Sequence, residues 1–239
     1  MSRLREKLID QYADHYARVN ADIDPTLMRP RTFDMYQRTF GPALAGLPQG
    51  ARVLDAGCGT GFLLYWLSKQ PGVVPVGADS SASQIEVLRR HLPSVEVHCA
   101  DGLEFMRQHR GEYHAIFCTD VLEHIPGDGL LDWVETAREA LVPGGVFVCR
   151  VPNAAHLTAA HTMYLDLTHE RCFTEVSLRQ LMLAGGFADY RVLPLRLGHL
   201  TGRMRMAAEW LLHRAVFLAC GEARKQVYTH NLHAAAVRR

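Results

Sequence analysis

Five short apolar runs, separated by stretches of helical periodicity, constrain this chain more than anything else in it. They are RVLDAG (52–57), VVPVGAD (73–79), VEVHCAD (95–101), HAIFCTD (114–120) and GVFVCRVP (145–152). Each is rich in β-branched or aromatic residues and is closed by Gly, Asp or Pro, which reads as a buried strand. Between them lie GFLLYWLSKQ, SASQIEVLRRHL, GLEFMRQHR and LLDWVETAREAL, with apolar residues at helical spacing. Pro143, Gly144 and Gly145 predict a stop for the last of these helices. Strand–helix alternation at this spacing predicts a mostly parallel sheet with helices on both faces, an α/β Rossmann-like fold. After the fifth strand a loop (153–174) leads to a helix, VSLRQLMLAGGF, and a strand, DYRVLPL (189–195). A basic, apolar helical stretch (202–219) and a last strand near NLHAAAVRR follow. The two late strands are expected to finish the sheet as an antiparallel pair.

The 239 residues suit a single domain. We divide it into a helical cap (1–49), a ligand-binding half (50–152) and an acceptor-side half (153–239) with a helical insertion near 202–219. Apolar residues make up 48% and charged residues 21%, and the formal charge is +1, so no basic footprint for a nucleic acid is present. The N-terminus lacks the apolar core of a secretion signal, and the longest apolar stretch, WLLHRAVFLAC, is too short to span a bilayer. The six cysteines form no CxxC pair, which points to buried free thiols in a reducing cytoplasm.

The first strand runs into VLDAGCGTG. A strand, a glycine turn and a helix form a concavity lined with backbone N–H groups. A dinucleotide fingerprint needs a third glycine where Phe62 stands, and Asp55 would repel a pyrophosphate, so a nicotinamide oxidoreductase is disfavoured. A ligand with an ammonium beside a carboxylate fits better, its ammonium near Asp55 and its carboxylate on the turn's N–H groups. Asp79, closing the second strand, can accept two ribose hydroxyls. Asp101, closing the third, can accept from an exocyclic amine, though an acid there also makes a helix cap. Ligands of such sheets bind at the carboxyl ends of the strands.

VLDAGCGTG, GADSS, CADG and TDVLEHI together resemble the class I S-adenosylmethionine-dependent methyltransferases. The resemblance implies a seven-stranded sheet with a reversed last strand, and S-adenosylmethionine as cofactor. It places Asp55, Gly57, Cys58, Gly59 and Gly61 along the methionine portion, Asp79 and Ser80 at the ribose, Asp101 and Gly102 at the adenine, and Thr119 and Asp120 at the methyl group. A cofactor-binding scaffold without catalysis would be expected to have lost one of these, and none is lost.

Asp120, Glu123 and His124 form D-x-x-E-H, similar to the E-x-x-E-H that holds a divalent metal in ubiquinone-pathway O-methyltransferases and in small-RNA end methyltransferases. They are candidate ligands for an ion such as Mg. An active-site role without metal, and simple packing, stay open beside it. RVPNAAH (150–156) and YLDLTHERCFTEVSLRQLMLAGGF (164–187) resemble methyltransferases of bacterial polysaccharide and lipopolysaccharide synthesis. That resemblance implies O-methylation of a sugar hydroxyl in a surface glycan or its precursor; a small hydroxylated metabolite, such as a quinone precursor or natural product, is the alternative. Asp166 and His169, three apart, can pair, which makes His169 the first choice of general base with Asp166 orienting it; a turn that packs His169 beneath it competes. Tyr12 and Tyr16 share a helical face, as a lid or as core. For 202–219, packing on the sheet or a homodimer contact is favoured over a peripheral membrane contact.

Overall fold

A computed structural model describes residues 7–8, 24–221 and 227–239. Tyr12 and Tyr16 lie outside the described residues. Seven strands form one sheet: β1 Ala51–Ala56, β2 Val73–Asp79, β3 Glu96–Cys99, β4 Tyr113–Thr119, β5 Leu141–Pro152, β6 Ala188–Val192 and β7 Asn231–Val237. Their spatial order is β3-β2-β1-β4-β5-β7-β6. The first five run parallel, and β7 lies antiparallel to both β5 and β6. The expected sheet with one reversed strand is therefore present.

The helices are α1 Pro30–Thr39, α2 Gly41–Leu44, α3 Phe62–Ser68, α4 Ala82–His91, α5 Gly102–Gln108, α6 Leu130–Ala140, α7 Ala159–Leu165, α8 Glu175–Ala184 and α9 Leu200–Ala219. Alternate strand residues feed two cores, as the two-residue period of a strand requires. Leu54, Ile116 and Phe147 face α5, α6 and α8 through Met106, Trp133 and Leu178. Val53, Phe117 and Val148 face α1, α3 and α4 through Tyr36, Trp66 and Leu88. The strand order reverses at the paired β1 and β4, and the carboxyl ends of the parallel strands β1 to β5 lie along one edge of the sheet there.

Three expectations need correction. The stretch 153–174, expected as a loop, holds α7 Ala159–Leu165. The helix before β5 stops at Ala140, ahead of Pro143-Gly144-Gly145, and those residues belong to β5. Gly144 takes φ +79° there, and the β4–β5 register shifts beside it. The 202–219 helix does not pack into the core: of α9, only Gly202 and His213 are buried among the described residues. Apolar residues cover its outer side as well as its inner one, so its apolar periodicity marks no single face to bury.

Candidate active site

The glycine turn between β1 and α3 is a steric requirement. Gly57 has φ +80°, and a Cβ there would lie 2.3 Å from Val121 Cγ2; Gly61, at +93°, would meet Leu88. Backbone from the end of β1 and side chains from the end of β4 thus approach too closely for any other residue. Four of the turn's amides are engaged inside the protein. Gly57 and Cys58 donate to the Ala78 carbonyl, Gly61 to that of Cys58, and Gly59 to Asp79 Oδ2 at 2.9 Å. Gly59 is the one expected cofactor residue that does not line the cavity described next. Its task is to hold Asp79.

A cavity of about 690 Å³ opens over the strand ends. Asp55, Gly57, Cys58, Gly61, Asp79, Ser80, Asp101, Gly102, Thr119 and Asp120 all line it. Asp55 is 1% exposed, and its Oδ1 has no hydrogen-bond partner among the described residues. Burial, then the nearby Asp79 charge, pushes its carboxyl up to about 8. Burial also raises Asp79, against the opposing pull of its bonds from Ser81 N and Gly59 N. Burial pushes the Cys58 thiol far up, so it is inert. Asp101 Oδ1 accepts from the Leu103 and Glu104 amides and caps α5, so the capping role is realised there.

The other side of the cavity is built from β4, β5 and α1. Asp120 departs from β4 at φ +56°, a left-handed conformation that Asp tolerates. Its carboxylate grips Arg150 of β5, with Arg150 Nε at 2.9 Å from Oδ1 and Nη2 on Oδ2. The Asp120 N–H also donates to the Arg150 carbonyl. Burial pulls the Arg150 guanidinium down, but Asp120 and Tyr36 outweigh it and keep it charged. Arg150 and Tyr36 line the cavity and were missed in the sequence. Arg150 left a signal, a charge inside the apolar run VFVCRVP, which demands a buried partner. Tyr36 left none.

Asp120 is therefore not the third member of a metal-ligating triad with Glu123 and His124, because its oxygens face a guanidinium. His169 takes that place instead: Glu123, His124 and His169 each bring a ligand atom within 4.8 Å of the others. Residues 122–124 form a single 3-10 turn, and the His124 and His169 ring centroids are 4.8 Å apart. Glu123 is 1% exposed, with Oε2 lacking a hydrogen-bond partner among the described residues. Burial and then Asp120 raise its carboxyl well above the usual range.

Asp166 does not carry out the expected orientation of His169 at Nδ1; that nitrogen lies 3.0 Å from the Thr162 carbonyl. Asp166 Oδ1 accepts from both the amide and the hydroxyl of Thr168, each at 2.7 Å. With its proton given to Asp166, the Thr168 oxygen accepts from His124 Nδ1 at 2.8 Å. This orients the His124 ring at the cavity wall. His124 and Thr168 line the cavity, whereas His169 stacks behind. Burial, then His169, lowers His124 to about 4, so it is neutral near pH 7.

Residues 28–192 match the family model described as a methyltransferase domain. The chain belongs to the methyltransferase-domain family. The fold agrees: a S-adenosylmethionine-dependent methyltransferase from Archaeoglobus fulgidus superposes with TM-score 0.68 at 17% identity, over 95% of this chain and 100% of that one. Phosphoethanolamine N-methyltransferase 2 of Haemonchus contortus, in complex with S-adenosyl-L-methionine, gives 0.66 at 17% identity, over 100% of this chain and 60% of that one. The methyltransferase is also 34% identical over 122 residues to a ubiquinone biosynthesis O-methyltransferase of Aromatoleum aromaticum. That match covers 49% of this chain and 48% of the relative, so the methyltransferase spans about half the length of the curated relatives it matches. Several of the relatives carry the name ubiquinone biosynthesis O-methyltransferase, where the loop after β5 resembled glycan-linked enzymes, and a spermidine synthase of Dictyostelium discoideum is 36% identical over 115 residues. The chain carries a class I S-adenosylmethionine-dependent methyltransferase domain.

Proposed function

We propose that this protein transfers the methyl group of S-adenosylmethionine to a hydroxyl oxygen of a small hydroxylated aromatic metabolite. The observation that carries the reading is the position of His124, held by Thr168 and Asp166 at the wall of the cavity that also contains Asp55 and Asp79. The acceptor oxygen attacks the methyl carbon in line with the sulfonium, the carbon–sulfur bond breaks, and its electron pair stays on sulfur in S-adenosylhomocysteine. The hydroxyl proton passes to the neutral His124 imidazole. A histidine lowered to about 4 is a weak base, so it suits an acidic hydroxyl such as a phenol better than a sugar alcohol. Val121, Ile125, Tyr36 and Leu27 give the cavity apolar walls of the kind a flat acceptor needs. Asp55 holds the cofactor ammonium, and Asp79 and Ser80 hold the ribose. The relatives' printed role in ubiquinone biosynthesis supports a hydroxylated aromatic over the glycan suggested by the loop after β5.

A second reading rests on the unpartnered Glu123 Oε2. A buried carboxylate beside two imidazoles, each anchored through Nδ1, is a donor set that fits a divalent cation. Glu123, His124 and His169 would hold it, and when bound it would acidify an acceptor hydroxyl.

The test is S-adenosylhomocysteine release over catechols, monophenols and nucleotide sugars, with and without chelator. Chelator-resistant turnover on phenols that falls with His124→Ala supports the proposal, and loss with chelator selects the metal reading. Turnover on nucleotide sugars alone refutes the aromatic acceptor.

A further inference from the structure

The outer side of α9 is apolar along its full length. Leu200, Met204, Ala207, Leu211, Ala215 and Leu218 recur at spacings of three and four and share one face. The four large ones among them are 69%, 62%, 61% and 51% exposed in chain order. The opposite side, around Met206, His213 and Phe217, rests on the protein, anchored where His213 Nε2 accepts from the Leu157 amide at 3.0 Å. The helix therefore lies along the surface with a second apolar stripe turned outward.

The charges at the margins of that stripe identify what covers it. Arg203 and Arg214 border it on one side and Arg205 on the other. The single carboxylate of α9, Glu209, lies on the protein side, half-buried and 3.6 Å from Arg205. A second copy of the helix is a poor occupant. In either direction it would bring arginine-lined margins and no outward carboxylate to meet Arg203 and Arg205, since Glu209 is turned toward the protein. A surface carrying negative charge above an apolar layer meets all the features at once, with the arginine stems reaching up to headgroups and the leucines below them. About 20 residues of helix lie flat over roughly 30 Å of such a surface. Among the described residues no helix is long and apolar enough to cross a membrane, so contact would be in the plane.

We propose that α9 docks this protein on the surface of an anionic lipid bilayer. The proposal does not depend on the methyl acceptor. The test is co-sedimentation of the full chain with vesicles of phosphatidylcholine alone and of three parts phosphatidylcholine to one part phosphatidylglycerol. Binding is expected on the anionic vesicles and to weaken with salt. Each of Arg203→Gln and Arg205→Gln should lower partitioning about fivefold. Leu211→Glu, an exposed substitution that leaves the fold and methyl transfer to a soluble acceptor intact, should lower it on the order of a hundredfold. Equal binding to both vesicle types, or binding to neither, overturns the proposal. So does a solution dimer that Leu211→Glu dissociates, which would make a second copy the occupant.

Discussion

Asp55→Asn should make the cofactor-free protein more stable while removing its hold on the cofactor. Asp55 is 1% exposed, and its carboxyl is raised from 3.8 to about 8. Below pH 3.8 the group is protonated in folded and unfolded chains alike and favours neither. Above it, the unfolded chain ionises while the folded one stays protonated, so stability falls by about 1.36 kcal/mol per pH unit until about pH 8. The loss amounts to about 1.6 kcal/mol at pH 5 and about 4 kcal/mol at pH 7 on that slope. Asparagine carries no charge in either state and escapes it. Urea unfolding of the cofactor-free pair should show the variant ahead at both pH values, with the gap widening from pH 5 to pH 7. Calorimetry with S-adenosylmethionine should show binding weakened on the order of a hundredfold by loss of a charged hydrogen bond. Wild-type affinity should climb with pH up to about 8, since the bound ammonium selects the carboxylate. A variant equal to or less stable than wild type, with a gap that does not grow with pH, would refute the buried protonated Asp55.

Thr168→Val should cut kcat on the order of tenfold to a hundredfold with KM little changed, since it frees the His124 ring while keeping a side chain of nearly the same size in the cavity wall; steady-state kinetics read the split. Arg150→Met should destabilise by about 3 kcal/mol because it leaves the Asp120 carboxylate partly buried and unpaired, and Asp120→Asn in the same chain should restore part of the loss in urea unfolding. His124 and His233 are lowered by burial to about 4 and about 3, so stability should fall as pH drops from 6.5 toward 4, where the unfolded chain binds protons that the folded one refuses. Gly57→Ala should lower the melting temperature and Val121→Ala should recover part of it, since Val121 Cγ2 is the atom the new Cβ would meet.

The central strands β1, β4 and β5 were legible because they are largely buried on both faces and therefore read as continuous apolar runs. Asp55, Asp79 and Asp101 were legible for a related reason: acids interrupting such runs mark strand ends, and strand ends in this architecture converge. What could not be read was pairing across the fold. Asp120 and Arg150 are separated by 30 residues and meet only because β4 and β5 are neighbours. Asp120, Glu123 and His124 looked like one constellation along the chain, but the left-handed turn at Asp120 sends its carboxylate away and brings in His169 from the loop after β5. Asp166 and His169 looked like a pair three residues apart. The tight turn at Thr168 instead gave Asp166 to Thr168, and through it to His124.

The placement of charge explains why the site tolerates Asp55 at all. Asp55, Asp79 and Asp120 share one cavity with Arg150, whose guanidinium is engaged chiefly by Asp120. Asp79 is steadied by two backbone amides, but Asp55 has an oxygen with no partner among the described residues. A neutral or anionic ligand would leave this imbalance in place, and a pyrophosphate would worsen it. A cofactor bearing an ammonium would relieve it, because the ammonium would give Asp55 Oδ1 the partner it lacks among the described residues. The stability sacrificed at Asp55 in the empty protein is thus recovered on binding. It also makes the site selective: a dinucleotide must leave Asp55 protonated or repel it, whereas S-adenosylmethionine binds best to the form that the empty fold resists.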